Sequence, residues 1–252
     1  MRTMWTDPAT WKPLRQVSPL SLIVSAFSPV DNVNLAVTPD LKPGASTLIL
    51  ADLSNGKNRL GGSILAQTWN LTGGDVPDLD DPAVLAKFFS TLQDLLQTRM
   101  ILAAHDRSDG GLVVTLCEMA ISGGRGSVIT LPQAASAHDE LAALFCEEPG
   151  MVLQVADSSV DAVLAAFAKA GLAQAVSVIG KVAETKSLTV AYGGQTKIDM
   201  KLSKIRSLWS ENSVQMRSLR DNPACAEQER TNAADEQDPG LTFKLTYEPD
   251  QV

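Results

Sequence analysis

The sequence predicts an α/β (α+β) fold, in which helices lie mainly on one face of a single mixed β-sheet. Short apolar runs rich in β-branched residues mix along the chain with segments whose apolar residues recur every three or four positions. Glycine and proline separate most of these segments. Hydrophobic residues make up 44% of the 252 residues, which is enough for a sizeable core. A sheet carrying helices is the layered arrangement that buries such segments together.

Each element is predicted from its own pattern. Residues 1–16 are predicted as a loop, and residues 224–239 as an acidic linker without regular structure. Strands are predicted at residues 20–27, 47–53, 100–104, 127–131, 151–155, 176–182, 188–192, 196–200 and 241–247. Helices are predicted at residues 60–69, 82–99, 112–120, 139–145, 160–168 and 202–219. The helix at residue 82 begins with a proline that follows two aspartates, a typical first helical position.

The charge balance and the lack of long apolar runs exclude several classes of protein. The net charge is −8 and the sequence pI is about 4.8, without the clustered Lys and Arg that a nucleic-acid surface needs. No apolar run approaches the roughly 20 residues of a membrane-spanning helix. Three cysteines without a CxxC pair fit reduced thiols. We therefore expect a cytoplasmic protein that binds neither nucleic acid nor membrane.

The run HDRSDGG at residues 105–111 is the strongest candidate site. It joins a predicted strand to a predicted helix, and free N–H groups at a helix N-terminus attract anions. Carboxylates in such a turn suit a phosphate that arrives with Mg²⁺, which prefers oxygen ligands. The alternative is structural: Asp109 caps the helix, and Asp106 is a solvated turn residue. Spacing alone leaves both interpretations open.

Other polar positions have a structural alternative beside each functional one. Gly61 and Gly62 could bring the backbone close to a phosphate or pack a helix tightly against the sheet. The pair Glu147–Glu148 could hold a metal or lie at a solvated helix end, and the following Gly150 favours a structural turn. His105 could contact a ligand or form a structural hydrogen bond, and His138 is expected to be exposed.

Neither a zinc site nor a cysteine nucleophile is expected. Neither histidine has metal-ligand spacing to a cysteine. No strained nucleophile turn surrounds Cys117, Cys146 or Cys225, so all three thiols are interpreted as packing residues.

In combination, several motifs resemble the second half of the large, single-chain phosphoribosylformylglycinamidine synthases. They run nearly end to end in the family's order: SPLSL at 18–22, VTP at 37–39, LGGS at 60–63 with LAQ at 65–67, HDRSDGG at 105–111, F-EE at 145–148, MR at 216–217 with LRDNP at 219–223, and DPGL at 238–241. The resemblance implies a fold like the C-terminal domain of aminoimidazole ribonucleotide synthetase.

The resemblance also implies an activity, which is the ATP- and glutamine-dependent conversion of formylglycinamide ribonucleotide to formylglycinamidine ribonucleotide in purine biosynthesis. ATP or ADP and Mg²⁺ are the implied cofactors. Asp106 matches a family aspartate that coordinates magnesium, and Ser108 matches a serine that contacts the nucleotide. This nucleotide site is similar to the family's auxiliary site. No catalytic residue is implied in this chain, because the family's catalytic histidine and glutaminase cysteine lie in other domains.

The resemblance further implies a division into three parts. Residues 1–36 would be the tail of an upstream ATP-binding synthetase domain, residues 37–201 the synthetase C-terminal-like domain, and residues 202–252 a helix and linker toward a glutaminase domain. These other domains are the expected partners, and the isolated chain is expected to be inactive. Two alternatives stay open: a non-catalytic binding module of the same fold, and another synthetase of the superfamily, against which residues 216–223 argue.

Overall fold

A computed structural model describes residues 2–18, 22–30, 32–237 and 244–247. The chain divides into two units, Met1–Asn34 and Leu35–Val252. In the first unit, β1 (Arg2–Thr6) pairs with β2 (Pro13–Val17) as an antiparallel hairpin. The predicted loop was therefore wrong here. Every residue of both strands is exposed, so the hairpin lacks the apolar alternation by which a half-buried strand is recognised.

The strand predicted at residues 20–27 was also wrong in its described part. Residues 22–27 have no regular secondary structure, and the side chains of Leu22 and Phe27 are 88% and 96% exposed. An apolar run needs a neighbouring strand to complete its hydrogen bonds. Within the described ranges, none pairs with this one. Residues 20 and 21 lie outside those ranges.

The second unit is built on a mixed sheet of seven strands, in the order β4-β6-β3-β7-β5-β8-β9. Its strands are β3 (Ser46–Asp52), β4 (Ala103–Asp106), β5 (Gly126–Leu131), β6 (Gly150–Ala156), β7 (Val176–Ala183), β8 (Ser187–Tyr192) and β9 (Gln195–Lys201). The pair β5–β8 is parallel, and the other described pairs are antiparallel. The predicted mixed sheet is confirmed.

Seven α-helices accompany the strands in the described residues. They are α1 (Ile64–Thr68), α2 (Pro82–Gln97), α3 (Gly111–Gly123), α4 (Ala137–Phe145), α5 (Val160–Lys169), α6 (Leu202–Arg220) and α7 (Pro223–Ala234). The cap predicted before Pro82 is confirmed, because the Asp81 side chain accepts a hydrogen bond from the Ala83 N–H group. No helix of this part of the chain is long and apolar enough to cross a membrane.

Both faces of the sheet are buried. Successive residues of β3 point to opposite faces, so they contribute to two different cores. Leu48 and Leu50 join a core with α3, α4 and α6, whereas Ile49 and Ala51 join a second core with α2 and α5. In the second core, the rings of Phe88 and Phe167 stack with their centroids 5.6 Å apart. Helices are thus divided more evenly between the two faces than the sequence predicted.

The C-terminal part differs from its prediction, because residues 223–234 form helix α7 instead of a linker. Asn222 caps this helix, Ala226 is buried, and Glu229 forms an ion pair with Arg217 of α6. The segment has few apolar residues, so contacts with α6 stabilise a helix that its own pattern does not indicate. The strand predicted at residues 241–247 lies partly outside the described ranges, and residues 244–247 are not a strand.

Candidate functional site

The turn between β4 and α3 carries both predicted site residues. Asp106 is the last residue of β4, and its side chain is 71% exposed. Its backbone oxygen accepts a hydrogen bond of 3.2 Å from the Thr115 hydroxyl of α3. Ser108 lies half-buried on the same turn. The structure therefore places Asp106 and Ser108 on the same turn, with the Asp106 side chain exposed to solvent.

Helix α3 does not begin as predicted. Gly110 occupies the capping position, and no side chain caps the helix, so the interpretation of Asp109 as an N-cap was wrong. The N–H group of Gly110 instead donates to Glu147 Oε1 at 2.8 Å. The carboxylate of Glu147 therefore accepts a hydrogen bond from an N–H group that was expected to bind an external anion.

Arg107, between the two candidate residues, anchors the turn. Its side chain is buried: Nε donates to the backbone oxygen of Glu148 at 2.8 Å, and Nη2 donates to Asp52 Oδ1 at 2.7 Å. Burial acts to raise the pKa of Asp52, but the charge and hydrogen bond of Arg107 outweigh it, so this pKa lies below its usual range. The role of Arg107 was not predicted from the sequence, because an arginine in a polar turn is usually exposed to solvent.

Glu147 and Glu148 lie in the connection between α4 and β6, where a structural turn was favoured, but Glu148 is buried, so the solvated helix end was wrong. Glu147 Oε1 also accepts a hydrogen bond of 2.8 Å from the N–H group of Ile64, so one oxygen joins the first turn of α1 to that of α3. Glu148 is fully buried and binds Arg59 with both carboxylate oxygens. The two glutamates therefore fasten the candidate turn to the segment around residues 59–64.

Gly61 packs tightly, but against a loop instead of the sheet, and nothing lies within 4 Å of the Cβ position of Gly62. A Cβ atom at this position would lie 2.5 Å from the backbone oxygen of Asp75 and 2.6 Å from that of Gly74. The Gly61 N–H group also donates to the Asp75 oxygen at 2.7 Å. The backbone of residues 74–75 thus fills the space beside Gly61 that a phosphate would need.

The cysteines differ in their surroundings. Cys146 is fully buried, and burial raises the pKa of its thiol. Burial raises the pKa of Cys117 to about 11. Both fit the packing interpretation, because thiols with raised pKa values are poor nucleophiles. Cys225 is exposed, so the packing interpretation was wrong for this residue.

The two histidines lie in contrasting places. The side chain of His138 is 80% exposed in the first turn of α4, as predicted. His105 is 15% exposed and lies between Asp106 and Glu118. Within the described ranges, no group of three or more His, Cys, Asp or Glu side chains is arranged to hold a metal ion. A metal at Asp106 would therefore need further ligands from outside this set.

The sequence of this chain matches a known protein family. The family described as "AIR synthase related protein, C-terminal domain" matches residues 42–193. A phosphoribosylformylglycinamidine synthase from Schizosaccharomyces pombe is 44% identical over 99% of this chain, which spans 19% of that relative's length.

Solved structures from Thermotoga maritima share the fold. PurL complexed with FGAR has a TM-score of 0.55 at 14% identity, covering 69% of this chain and 30% of PurL. PurL complexed with ATP has a TM-score of 0.53 at 15% identity, with coverage of 69% and 27%. Because the family match covers more than half of the residues and includes the whole turn from β4 to α3, the chain belongs to the AIR synthase related family and contains its C-terminal domain.

Proposed function

We propose that this chain acts as part of a phosphoribosylformylglycinamidine synthase. Such an enzyme converts formylglycinamide ribonucleotide to formylglycinamidine ribonucleotide with ATP and with ammonia from glutamine. The support is the identity of 44% to a relative of that name across 99% of the chain. We place the chain in the cytoplasm, in one step of purine biosynthesis.

Within this activity, the turn from β4 to α3 contributes to a nucleotide–magnesium site. The observation that carries this role is the exposed carboxylate of Asp106 on a turn whose backbone is fixed by the buried Arg107. A carboxylate held in this way is a suitable ligand for Mg²⁺, which takes few protein ligands when it also binds phosphate. Ser108 contacts the nucleotide, and Mg²⁺ neutralises charge on the phosphates of ATP or ADP.

The rest of the site comes from other domains. Residues 1–36 belong to an upstream synthetase domain, residues 37–201 form the synthetase C-terminal-like domain, and residues 202–252 lead toward a glutaminase domain. The upstream domain supplies the remaining magnesium ligands, and the glutaminase domain supplies ammonia. This division explains how one acidic side chain can belong to a metal site although this chain's described residues offer no three-ligand cluster.

A chimeric enzyme tests the function. The matching segment of the Schizosaccharomyces pombe relative is replaced by this chain in cells that lack their own synthase, and growth without added purine is measured. The proposal predicts growth with the unchanged chain and with Asp109→Asn, but weaker growth with Asp106→Asn. Asp109 is a matched control, because it is an exposed aspartate three residues away on the same turn.

If the chimera does not support growth, two further measurements show why. Soluble yield shows whether the chimera folds, and the nucleotide content of the purified chimera shows whether the site forms. A soluble chimera that retains nucleotide but does not support growth would favour the alternative, a non-catalytic binding module of the same fold. A soluble chimera with neither growth nor nucleotide would contradict the proposed function.

A further inference from the structure

The imidazole ring of His105 lies between two carboxylates. Its Nδ1 atom is 3.2 Å from Asp106 Oδ1, and its Nε2 atom is 3.1 Å from Glu118 Oε2. The His105 side chain is only 15% exposed, whereas that of Asp106 is 71% exposed. A largely enclosed ring therefore touches one oxygen of an exposed carboxylate. Carboxylate oxygens accept, so Nδ1 donates to Asp106 and Nε2 to Glu118 when both ring nitrogens carry a proton.

Glu118 is held on its other side by helix α6. Glu118 Oε1 accepts a hydrogen bond of 3.1 Å from the indole Nε1 of Trp209. The neighbouring Arg206 donates to the backbone oxygens of Ile121 in α3 and Ala233 in α7. A continuous chain of contacts, Trp209–Glu118–His105–Asp106, thus connects α6 to the end of β4.

We infer that His105 is a positioning residue for Asp106, a role that rests on the proposed function of Asp106 as a magnesium ligand. A hydrogen bond from Nδ1 to Oδ1 fixes the rotation of the carboxylate and leaves Oδ2 directed away from the ring. Metal-binding carboxylates are commonly held by such hydrogen bonds, and loss of the supporting group weakens metal binding about 10- to 100-fold.

Helix α6 takes part in this positioning although it lies outside residues 42–193, which match the family. Trp209 fixes Glu118, and Glu118 fixes the ring. Because Trp209 acts two contacts away from Asp106, its effect on the carboxylate is indirect. Trp209→Phe keeps an aromatic ring but removes the N–H donor, so it isolates this contribution.

Two substitutions of His105 separate positioning from packing. The side-chain amide of asparagine reaches the position of Nδ1 and can still donate to Asp106, whereas that of glutamine reaches farther, toward Glu118. The chimeric enzyme that carries this chain, and with it the upstream domain's magnesium ligands, is titrated calorimetrically with ADP, once with excess Mg²⁺ and once with a chelator. We expect His105→Asn to keep magnesium-dependent ADP affinity within about threefold, and His105→Gln to lose about tenfold. Trp209→Phe should fall between them.

The metal-free titration supplies the control. A positioning role leaves ADP affinity without Mg²⁺ unchanged in every variant. Equal losses in His105→Asn and His105→Gln, or losses that persist without Mg²⁺, would show that the histidine only packs, and would overturn the inference.

Asp106→Asn distinguishes the two proposals. If Asp106→Asn weakens magnesium-dependent binding and His105→Gln does not, the role of His105 is wrong and that of Asp106 stands. If the chimera with the unchanged chain shows no magnesium-dependent binding, or the Asp106→Asn chimera binds as that chimera does, both the metal role of Asp106 and the positioning role of His105 are wrong.

Discussion

The buried carboxylate of Glu148 is bound by the guanidinium group of Arg59 through hydrogen bonds of 2.6 Å and 2.8 Å. The backbone N–H group of Arg59 donates a third, at 2.9 Å, to the same carboxylate. The backbone oxygen of Glu148 meanwhile accepts the hydrogen bond from Arg107. One residue therefore connects the segment before α1 to the candidate turn, and the rigidity of the Asp106 site depends on it.

Removing the charge of Glu148 should destabilise the fold. Glu148→Gln removes the buried carboxylate partner of Arg59, which keeps only a longer carboxylate contact of 3.4 Å, to the more exposed Asp80, among the described residues. Breaking a buried ion pair on one side costs about 3 kcal/mol. The free energy of unfolding is measured by urea denaturation. Glu184→Gln is the control: this glutamate also pairs with an arginine, but its side chain is 79% exposed, so we expect at most about 0.5 kcal/mol. Equal effects would contradict the structural role of Glu148.

The same carboxylate makes stability depend on acid pH. Burial acts to raise the pKa of Glu148, but hydrogen bonds from Arg59 outweigh it, so the folded pKa lies below the ordinary value of 4.5. A lowered pKa contributes stability above the unfolded value, and this contribution is lost as pH falls through the folded value. The melting temperature should therefore decline below about pH 4.5. Glu148→Gln should show a smaller decline, and an unchanged acid profile would argue against this assignment.

Gly111 should not tolerate a side chain, because a Cβ atom there would lie 2.6 Å from the backbone carbon of Phe145 and 2.7 Å from the Cys146 oxygen. Gly56 is a matched control: its φ of +78° resembles the +68° of Gly111, but nothing lies within 4 Å of its Cβ position. Gly56→Ala should cost about 1 kcal/mol from backbone strain, and Gly111→Ala about 2 kcal/mol more from overlap. Similar unfolding free energies for the two variants would exclude close packing at Gly111.

The three thiols should react at different rates. Cys225 is exposed, whereas Cys146 is buried and Cys117 has a pKa of about 11. Only the thiolate reacts, so a disulfide reagent at pH 8 should modify Cys225 quickly and the other two slowly. Cys225→Ser should remove the fast phase. A fast phase that persists in this variant would mean that a thiol interpreted as packed is accessible.

Sequence patterns predicted the elements that bury an apolar face. Strand β3 has apolar residues on both sides, and α2 places Phe88, Leu92 and Leu95 on one face, so both were recognisable. The first hairpin and α7 were missed for the opposite reason. Both strands of the hairpin are exposed, and α7 buries one residue, Ala226. The hairpin is stabilised by pairing between its strands, and α7 by contacts with α6. Neither produces a periodic pattern of apolar residues in the sequence.

The candidate site was predictable only in part. Asp106 and Ser108 were identified through a motif, and the structure places them on one accessible turn. The groups that hold this turn could not be predicted. Arg107 contacts residues far from it in sequence, and Glu147 binds two backbone amides at distant positions. Such partners are determined by tertiary packing, which a single sequence does not display.

The most direct test of the magnesium role is the thermal shift of the chimeric enzyme, which contains the upstream domain, on addition of ADP and Mg²⁺. Bound ligand stabilises the folded state by mass action, by about 2.7 kcal/mol at a concentration 100 times the dissociation constant. We predict that the melting temperature of the chimeras that carry the unchanged chain or Asp109→Asn rises with magnesium and ADP together. Asp106→Asn should lose most of this rise while melting normally without ligand. If Asp106→Asn and the unchanged chain show equal shifts, Asp106 is an ordinary exposed turn residue and not a magnesium ligand.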